Sequence, residues 1–327
     1  MERREQLRIL SIDGGGIRGF MTAVWLHQLQ MMLAHPTYRY FHVFTGTSTG
    51  SLLTCALGLG MTTLDILRHY QRHGEKVFPK GFARLLNQFQ RMFREGLAPA
   101  RYDNQGLEIV LTEIFEDRRF GEIPTRTLVS AVDNRHERPM IFDSADPNHQ
   151  DLLIRDICLA SAALPTVFPP KQIDVPIQGL IELIDGGMFD RNPSLQAVAH
   201  LAEFGQRDPA DYPGCLLASF GTGLGKDATP ERLAAEAPAS APDLSWMIDP
   251  IKDRLGLTVS HRLETALRRS NYFRFQTMLE PELAAADQAG HDHIHGLLRA
   301  AQRFLVEQGG NEKIKELARV LEHAVPE

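Results

Sequence analysis

What most limits the fold of this chain is that its apolar, strand-like runs end in glycine and pass directly into helical patterns. In LRILSIDGGGIRGF (Leu7–Phe20) the run Leu7–Ile12 breaks at Asp13 and three glycines. A helical stripe over Gly19–Ala34 follows at once, with Met21, Val24, Trp25, Leu29 and Met32 near one side. Phe41–Gly46 (FHVFTG) repeats the arrangement, running through Ser48 into STGSLLTCALGLG. Short continuous apolar strands that alternate with helices are the mark of a buried, largely parallel sheet.

The alternation continues along the chain. Helices are expected over Thr63–His73, over Asn104–Phe115 behind Asp103 or Asn104 as a cap, over Ile154–Ala163 before Pro165, and over Ser194–Phe204. Strands are expected over Thr127–Val132, Pro139–Phe142, Leu180–Ile184 and Cys215–Phe220. Gly225–Pro242, rich in Ala, Pro and charge, reads as an exposed excursion, followed by a helical stretch to about Arg269. A strand in NYFRFQ and two closing helices complete the chain. The expectation is an α/β fold of a single domain, 1–327, with a core over about 7–223 and the elements of 243–327 packed on it.

With 327 residues, 43% of them hydrophobic, the chain can bury one large core. The formal net charge of −6 gives no global basic field, so a nucleic-acid polymer is not an expected partner. Cys55, Cys158 and Cys215 each sit in an apolar segment and read as buried free thiols of a reducing cytosol. The charged start MERREQLRILSIDG has no apolar signal-like run behind it, and no segment approaches the length that spans a bilayer. A cytoplasmic protein that meets membrane only at its surface is expected.

Three segments carry chemistry. GTSTG (Gly46–Gly50) fits G-x-S-x-G where a strand hands over to a helix, the setting of a nucleophile elbow that would present Ser48. A plainer reading is a strand–helix turn with Ser48 or Thr47 as N-cap. Gly14-x-Gly16-x-x-Gly19 has the spacing of a dinucleotide loop, but no Glu or Asp stands between Asp13 and Asp65 to hold a ribose. A row of backbone donors remains, which suits the oxyanion of acyl transfer. None of the thirteen histidines lies in a strand-end loop with supporting glycines. Asp185 in LIDGGMFDRNP does, with Gly186 and Gly187 beside it, and could take the proton of Ser48 directly. An ordinary Asp-Gly turn is the alternative.

Two weaker signals complete the reading. His291 and His295 in HDHIH have i,i+4 spacing, but the Glu of an H-E-x-x-H metal motif is missing, so a solvated helix face is expected and no metal. Lys80–Arg94 (KGFARLLNQFQRMFR) is basic and amphipathic, and reads either as a helix packed on the core or as a lid or interfacial helix that meets anionic lipid.

Together these pieces resemble the patatin-like phospholipases. The resemblance is carried by SIDGGGIRG, GTSTG and IDGGMFDRNP in that order, and continues through YDNQGLEIVLTEIF, RDICLASAALPTVFPP, SFGTG and NYFRFQ over nearly the whole chain. It implies a three-layer α/β fold with a mostly parallel central sheet, and a Ser–Asp dyad of Ser48 and Asp185. It also implies an oxyanion loop of Gly14, Gly15 and Gly16 with Arg18 beside it, and motif glycines Gly19, Gly46, Gly50, Gly186 and Gly187. The reaction implied is hydrolysis of acyl esters of glycerophospholipids at the bilayer surface, with no cofactor. Compact relatives include bacterial effectors switched on by cyclic nucleotides in anti-phage defence. A cyclic di- or trinucleotide activator, a homo-oligomer and a peripheral berth at the inner membrane face are therefore carried forward as expectations. The chain departs from the family pattern at Ser51, where many relatives have Gly, and at Leu164, before the first proline of SAALPTVFPP.

Overall fold

The computed structural model describes residues 6–77, 105–165, 168–204, 215–225, 263, 267, 271–284 and 290–324. The segment Lys80–Arg94, nearly all of Gly225–Pro242 and most of the stretch up to Arg269 lie outside the described residues.

Eight strands form one sheet: β1 (Arg8–Ile12), β2 (Val43–Thr47), β3 (Arg126–Asp133), β4 (Arg138–Asp143), β5 (Lys171–Val175), β6 (Gly179–Asp185), β7 (Leu216–Phe220) and β9 (Tyr272–Phe275). β8 (Leu224–Gly225) and β10 (Met278–Leu279) make a separate two-stranded pair. In the large sheet β9, β7, β1, β2 and β3 are parallel neighbours in that order. The other three strands are antiparallel: β4 and β6 both pair with β3, and β5 pairs with β6. The expected largely parallel sheet is thus a parallel centre with an antiparallel flank, and β5 was not foreseen. Apolar runs signal burial but not direction.

The register on β3 matters most for the site. Leu128–Asp133 pair with β4, Arg126–Ser130 with β2, and Ala131–Asp133 with β6. A strand has two edges. Because β4 overlaps both partners, β2 and β6 must share the opposite edge. β2 occupies it up to Thr47, opposite Ser130, and β6 arrives from the other direction to end at Asp185, opposite Ala131. The two strands meet head to head at their carboxyl ends.

Period-2 alternation sends the strand side chains to two faces. Ile9, Val43, Leu128 and Leu217 face one apolar cluster with Ala197 and Leu201 of α6 (Ser194–Phe204). Leu10, Ile12, Phe44, Val129, Leu216 and Phe220 face a larger one. That cluster takes in residues of α1 (Gly19–Gln30), α2 (Thr49–Gly58), α3 (Thr63–Val77), α4 (Gln105–Phe115) and α5 (Ile154–Ser161), and of the closing helices α7 (His291–Glu307) and α8 (Gly310–Ala324). The result is helices, sheet, helices, as expected of the three-layer fold. α1 is buried beyond its expected stripe: Phe20, Ala23 and Leu26 are covered along with Met21, Trp25 and Leu29, because both α3 and the closing helices pack on it.

Trp25 holds that contact. Its Nε1–H donates to the Ala301 carbonyl at 3.1 Å, and its ring lies 4.7 Å from that of Phe304. Trp25→Ala is expected to cost about 3–5 kcal/mol of stability, the usual loss for a buried aromatic. Urea unfolding would report it as a lowered midpoint, and an unchanged midpoint would show that α7 does not depend on this contact.

Candidate active site

The head-to-head meeting of β2 and β6 places Ser48 and Asp185 together across 137 residues of sequence. Ser48 Oγ–H donates to Asp185 Oδ2 at 2.8 Å. Ser48 lies between β2 and α2 with φ 53° and ψ −123°. That conformation is one a side-chain-bearing residue reaches only under strain, typically about 1–3 kcal/mol. It lifts the side chain off the strand axis, as an elbow requires. The turn is tight because its glycines touch backbone: a Cβ at Gly46 would run into the Gly50 carbonyl, and one at Gly50 into the Ile12 carbonyl. β2, the start of α2 and the end of β1 therefore pack with no side chain between them.

Polar contacts hold the elbow. Ser48 N–H donates to Ser161 Oγ at 2.9 Å, and the Ser161 hydroxyl donates to the Ser130 carbonyl at 2.7 Å. Ser161, at the end of α5, thus ties the elbow to β3. Thr47 Oγ1 and Ser130 Oγ share a hydrogen bond of 2.6 Å. Ser51, where relatives often carry Gly, turns its hydroxyl back onto the Ser48 carbonyl at 2.6 Å. Asp185 is fixed as well. Its N–H donates to the Ala163 carbonyl at 2.9 Å, and its Oδ1 accepts from Gly187 N–H at 2.6 Å. Gly186 lies so close to the Ser130 carbonyl that a Cβ would collide with it.

The glycine loop lies beside this pair. A Cβ at Gly14 would stand 3.4 Å from Ser48 Cβ. The Gly14 amide, however, donates to the Arg191 carbonyl at 2.9 Å. The amides of Gly15 and Gly16 make no such bond among the described residues. Thr222, in the SFGTG segment, fastens the loop from behind: its hydroxyl donates to the Gly14 carbonyl at 2.8 Å, and its side chain fills the space a Cβ on Gly15 would need. Gly16 takes a positive φ of 58°, which glycine accepts freely. Arg18 is buried and its Nε–H reaches the Gly15 carbonyl at 3.3 Å. Gly19 opens α1 against Thr49 and Tyr70.

Sequence reasoning passed over Ser161, Thr222, Asp190 and Arg274. All four fall within segments noted for the family resemblance, but nothing in their spacing tells which group each would touch. His291 and His295 stand exposed on the first turn of α7, with Nε2 atoms 3.1 Å apart. Among the described residues no cluster of three or more His, Cys, Asp or Glu side chains gathers to hold a metal ion. No helix of the described residues is long and apolar enough to cross a membrane.

Asp190, just past the turn that carries Asp185, is buried, and burial pushes its carboxyl up to about 7. The Asn192 amide pulls it down, Asp13 pushes it up, and Arg274 pulls it down. A carboxyl raised in the fold stabilises it most below the ordinary carboxylate range. That contribution is lost as pH rises from about 4 to about 7. Asp190→Asn should therefore gain stability over the parent by about 2–4 kcal/mol more at pH 8 than at pH 4. Paired urea melts at the two pH values check this, and an equal difference at both would contradict it.

A sequence model described as patatin-like phospholipase matches residues 10–198. Among similar proteins, Patatin-like protein 1 of Arabidopsis thaliana is 28% identical over 341 residues, covering 91% of this chain and 81% of that protein. Probable inactive patatin-3-Kuras 1 of Solanum tuberosum is 32% identical over 272 residues, covering 74% of this chain and 69% of that protein. Among solved structures, human GIVD cytosolic phospholipase A2 superposes with a TM-score of 0.49 at 12% identity, covering 99% of this chain and 62% of that one. VipD from Legionella pneumophila gives a TM-score of 0.42 at 15% identity, covering 91% and 67%. The stretch matched by the family model begins in β1 and ends in α6, so it takes in the glycine loop, the elbow at Ser48 and the turn at Asp185. This chain belongs to the patatin-like phospholipase family.

Proposed function

We propose that this protein is a lipid acyl hydrolase that cleaves acyl esters of membrane glycerophospholipids with Ser48 as nucleophile and Asp185 as general base. The observation that supports the reading most directly is the 2.8 Å hydrogen bond from Ser48 Oγ to Asp185 Oδ2 at a strained elbow. A hydroxyl is a weak nucleophile until an adjacent base accepts its proton. Here the base touches it without a histidine between.

The proposed cycle balances on these two residues. Ser48 Oγ attacks the ester carbonyl carbon as its proton passes to Asp185. The carbonyl oxygen takes the negative charge, and the amides of Gly15 and Gly16 are the proposed donors to it, the Gly14 amide being occupied by Arg191. Collapse breaks the bond to the glycerol oxygen, and Asp185 returns the proton to that leaving group. A water molecule then gives its proton to Asp185 and attacks the acyl-serine. Departure of the fatty acid restores Ser48 with the same proton. One of the similar proteins is named as probably inactive. The present chain keeps the serine and the aspartate within hydrogen-bonding distance.

Activation by a cyclic di- or trinucleotide, a part in anti-phage defence, a homo-oligomer and action at the inner membrane face are finer proposals that rest on the family resemblance. Basal hydrolysis measured with and without such nucleotides tests the first: a rate unchanged by any of them removes it.

Ser48→Ala and Asp185→Asn should each lower kcat/KM on a phospholipid by about 10³-fold or more, since the two groups act as one unit. A fluorophosphonate probe should label the parent and not Ser48→Ala. Full activity in a folded Asp185→Asn protein would refute the dyad. Ser48→Gly should be as inactive as Ser48→Ala yet more stable than it by about 1 kcal/mol, because glycine relieves the positive φ. Chelators should leave the rate unchanged, as Asp185 carries every proton of the proposed cycle. Inactivation by EDTA with recovery on adding zinc would overturn that.

A further inference from the structure

The mechanism leaves a buried charge cluster behind the glycine loop unused. Asp13 is the first residue after β1 and the last before the glycines. Its two carboxylate oxygens are gripped by the guanidinium of Arg274: Nη1–H donates to Oδ1 at 2.8 Å and Nη2–H to Oδ2 at 2.5 Å. The Arg274 side chain is only 12% exposed and that of Asp13 only 6%. A planar guanidinium that bridges both oxygens fixes direction as well as distance.

Arg274 is itself held in place. It lies on β9 opposite Ser219 of β7, which lies opposite Ser11 of β1. The three side chains stand on the same face, across three strands. Arg274 Nη1–H also donates to Ser219 Oγ at 2.8 Å. Ser194, at the start of α6, donates its hydroxyl to Ser11 Oγ at 2.8 Å and approaches Ser219 Oγ at 3.2 Å. This polar ladder runs through the sheet and ends at the carboxylate that begins the glycine loop. The glycine loop is also joined to the turn that carries Asp185, because the Arg191 carbonyl accepts the Gly14 amide at 2.9 Å.

We infer that Arg274 is a positioning residue for the reaction proposed above: by clamping Asp13 it sets where the Gly15 and Gly16 amides stand relative to Ser48 Oγ. The inference rests on the reading of Ser48 as nucleophile. Arg274 touches no reacting atom; it acts through Asp13. Burying the cluster is costly, since a buried ion pair rarely outdoes an apolar pair of the same volume in stability. A geometric role accounts for retaining it. Oxyanion donors stabilise the transition state only within a few tenths of an ångström of their proper place, and a misplacement of about 1 Å costs about 10²-fold in rate.

The test uses Arg274→Lys, which keeps the charge but cannot bridge both oxygens, and Ser219→Ala, which removes one anchor of the guanidinium and leaves the ion pair. Kinetics on a soluble acyl ester, thermal unfolding and amide hydrogen exchange over residues 13–19 are measured for each, with Ser48→Ala alongside. The expected result for Arg274→Lys is a kcat lower by about 10–100-fold with KM within about twofold, and faster exchange in the glycine loop. Ser219→Ala should shift both in the same direction by a smaller factor and remain folded even if Arg274→Lys does not. A kcat within about threefold of the parent in both variants would overturn the inference, as would a raised KM at constant kcat or a loss confined to the melting temperature. Failure of the underlying reading looks different: Ser48→Ala would then retain activity. Loop exchange is read without turnover, so unchanged protection in both variants overturns the clamp in that case too.

Discussion

The site depends on the sharing of one edge of β3 by two strands that run in opposite directions. β2 leaves that edge after Thr47 and β6 ends on it at Asp185, on adjacent β3 residues. Two strand ends pointing at each other cannot both continue. Each must turn out of the sheet at the same spot, and the side chains at the turns are forced together. Ser48 and Asp185 are those side chains. Here the two carboxyl ends face each other along a single strand edge, and Ser48 Oγ–H meets Asp185 Oδ2 at 2.8 Å.

This arrangement has costs that the surroundings offset. Ser48 is held at positive φ, and the turn persists because Gly46, Gly50 and the Ile12 carbonyl leave it no room to relax. The Ser48 amide is satisfied by Ser161, which passes the hydrogen bond on to the Ser130 carbonyl. Asp185 and Asp190 lie buried within one short turn, and the two are treated differently. Asp185 has its partners in Ser48 and Gly187. Asp190 accepts from the Asn192 amide at 2.9 Å, and burial pushes it up to about 7. Local energy is spent where the chain positions groups, and the large apolar clusters on the two faces of the sheet supply the stability that tolerates it.

Much of the architecture is legible in the sequence because it follows from periodicity. The runs at Leu7–Ile12, Phe41–Gly46 and Cys215–Phe220 fall on β1, β2 and β7 within two residues at each end. Ser194–Phe204 is α6 residue for residue. Ser48 and Asp185 were legible because each follows an apolar run and is flanked by glycine. The direction of β6 was not, since the same apolar run serves a parallel or an antiparallel strand. β5 was missed for a different reason: KQIDV alternates polar and apolar residues, a half-buried strand pattern, but is only five residues long and has no continuous apolar run. Ser161, Thr222 and Arg274 act on partners 113, 208 and 261 residues away. A lone hydroxyl or guanidinium carries no local sign of such a partner. The occupied Gly14 amide belongs to the same class, because its acceptor is a backbone carbonyl and any residue could supply it.

A base placed on a strand end differs physically from one placed on a loop. Asp185 is the last residue of β6, its backbone N–H is bonded to Ala163, and its outer oxygen is held by Gly187. It has a short side chain with few rotamers to lose. On the proposed reading its approach to Ser48 is set by the sheet itself and needs no third residue to orient it, whereas a histidine base on a loop needs a carboxylate behind it to fix its ring. The glycine loop has no such support of its own. It is a run of residues without side chains beyond the end of β1, and the rigidity it lacks locally has to come from what grips its ends. Thr222 takes the Gly14 carbonyl, Arg191 takes the Gly14 amide, and Asp13 just before them is held by a guanidinium from β9. The sheet fixes Ser48 and Asp185 through backbone register, whereas the glycine loop is fixed through side chains, and the Asp13–Arg274 pair lies behind the glycines for that reason.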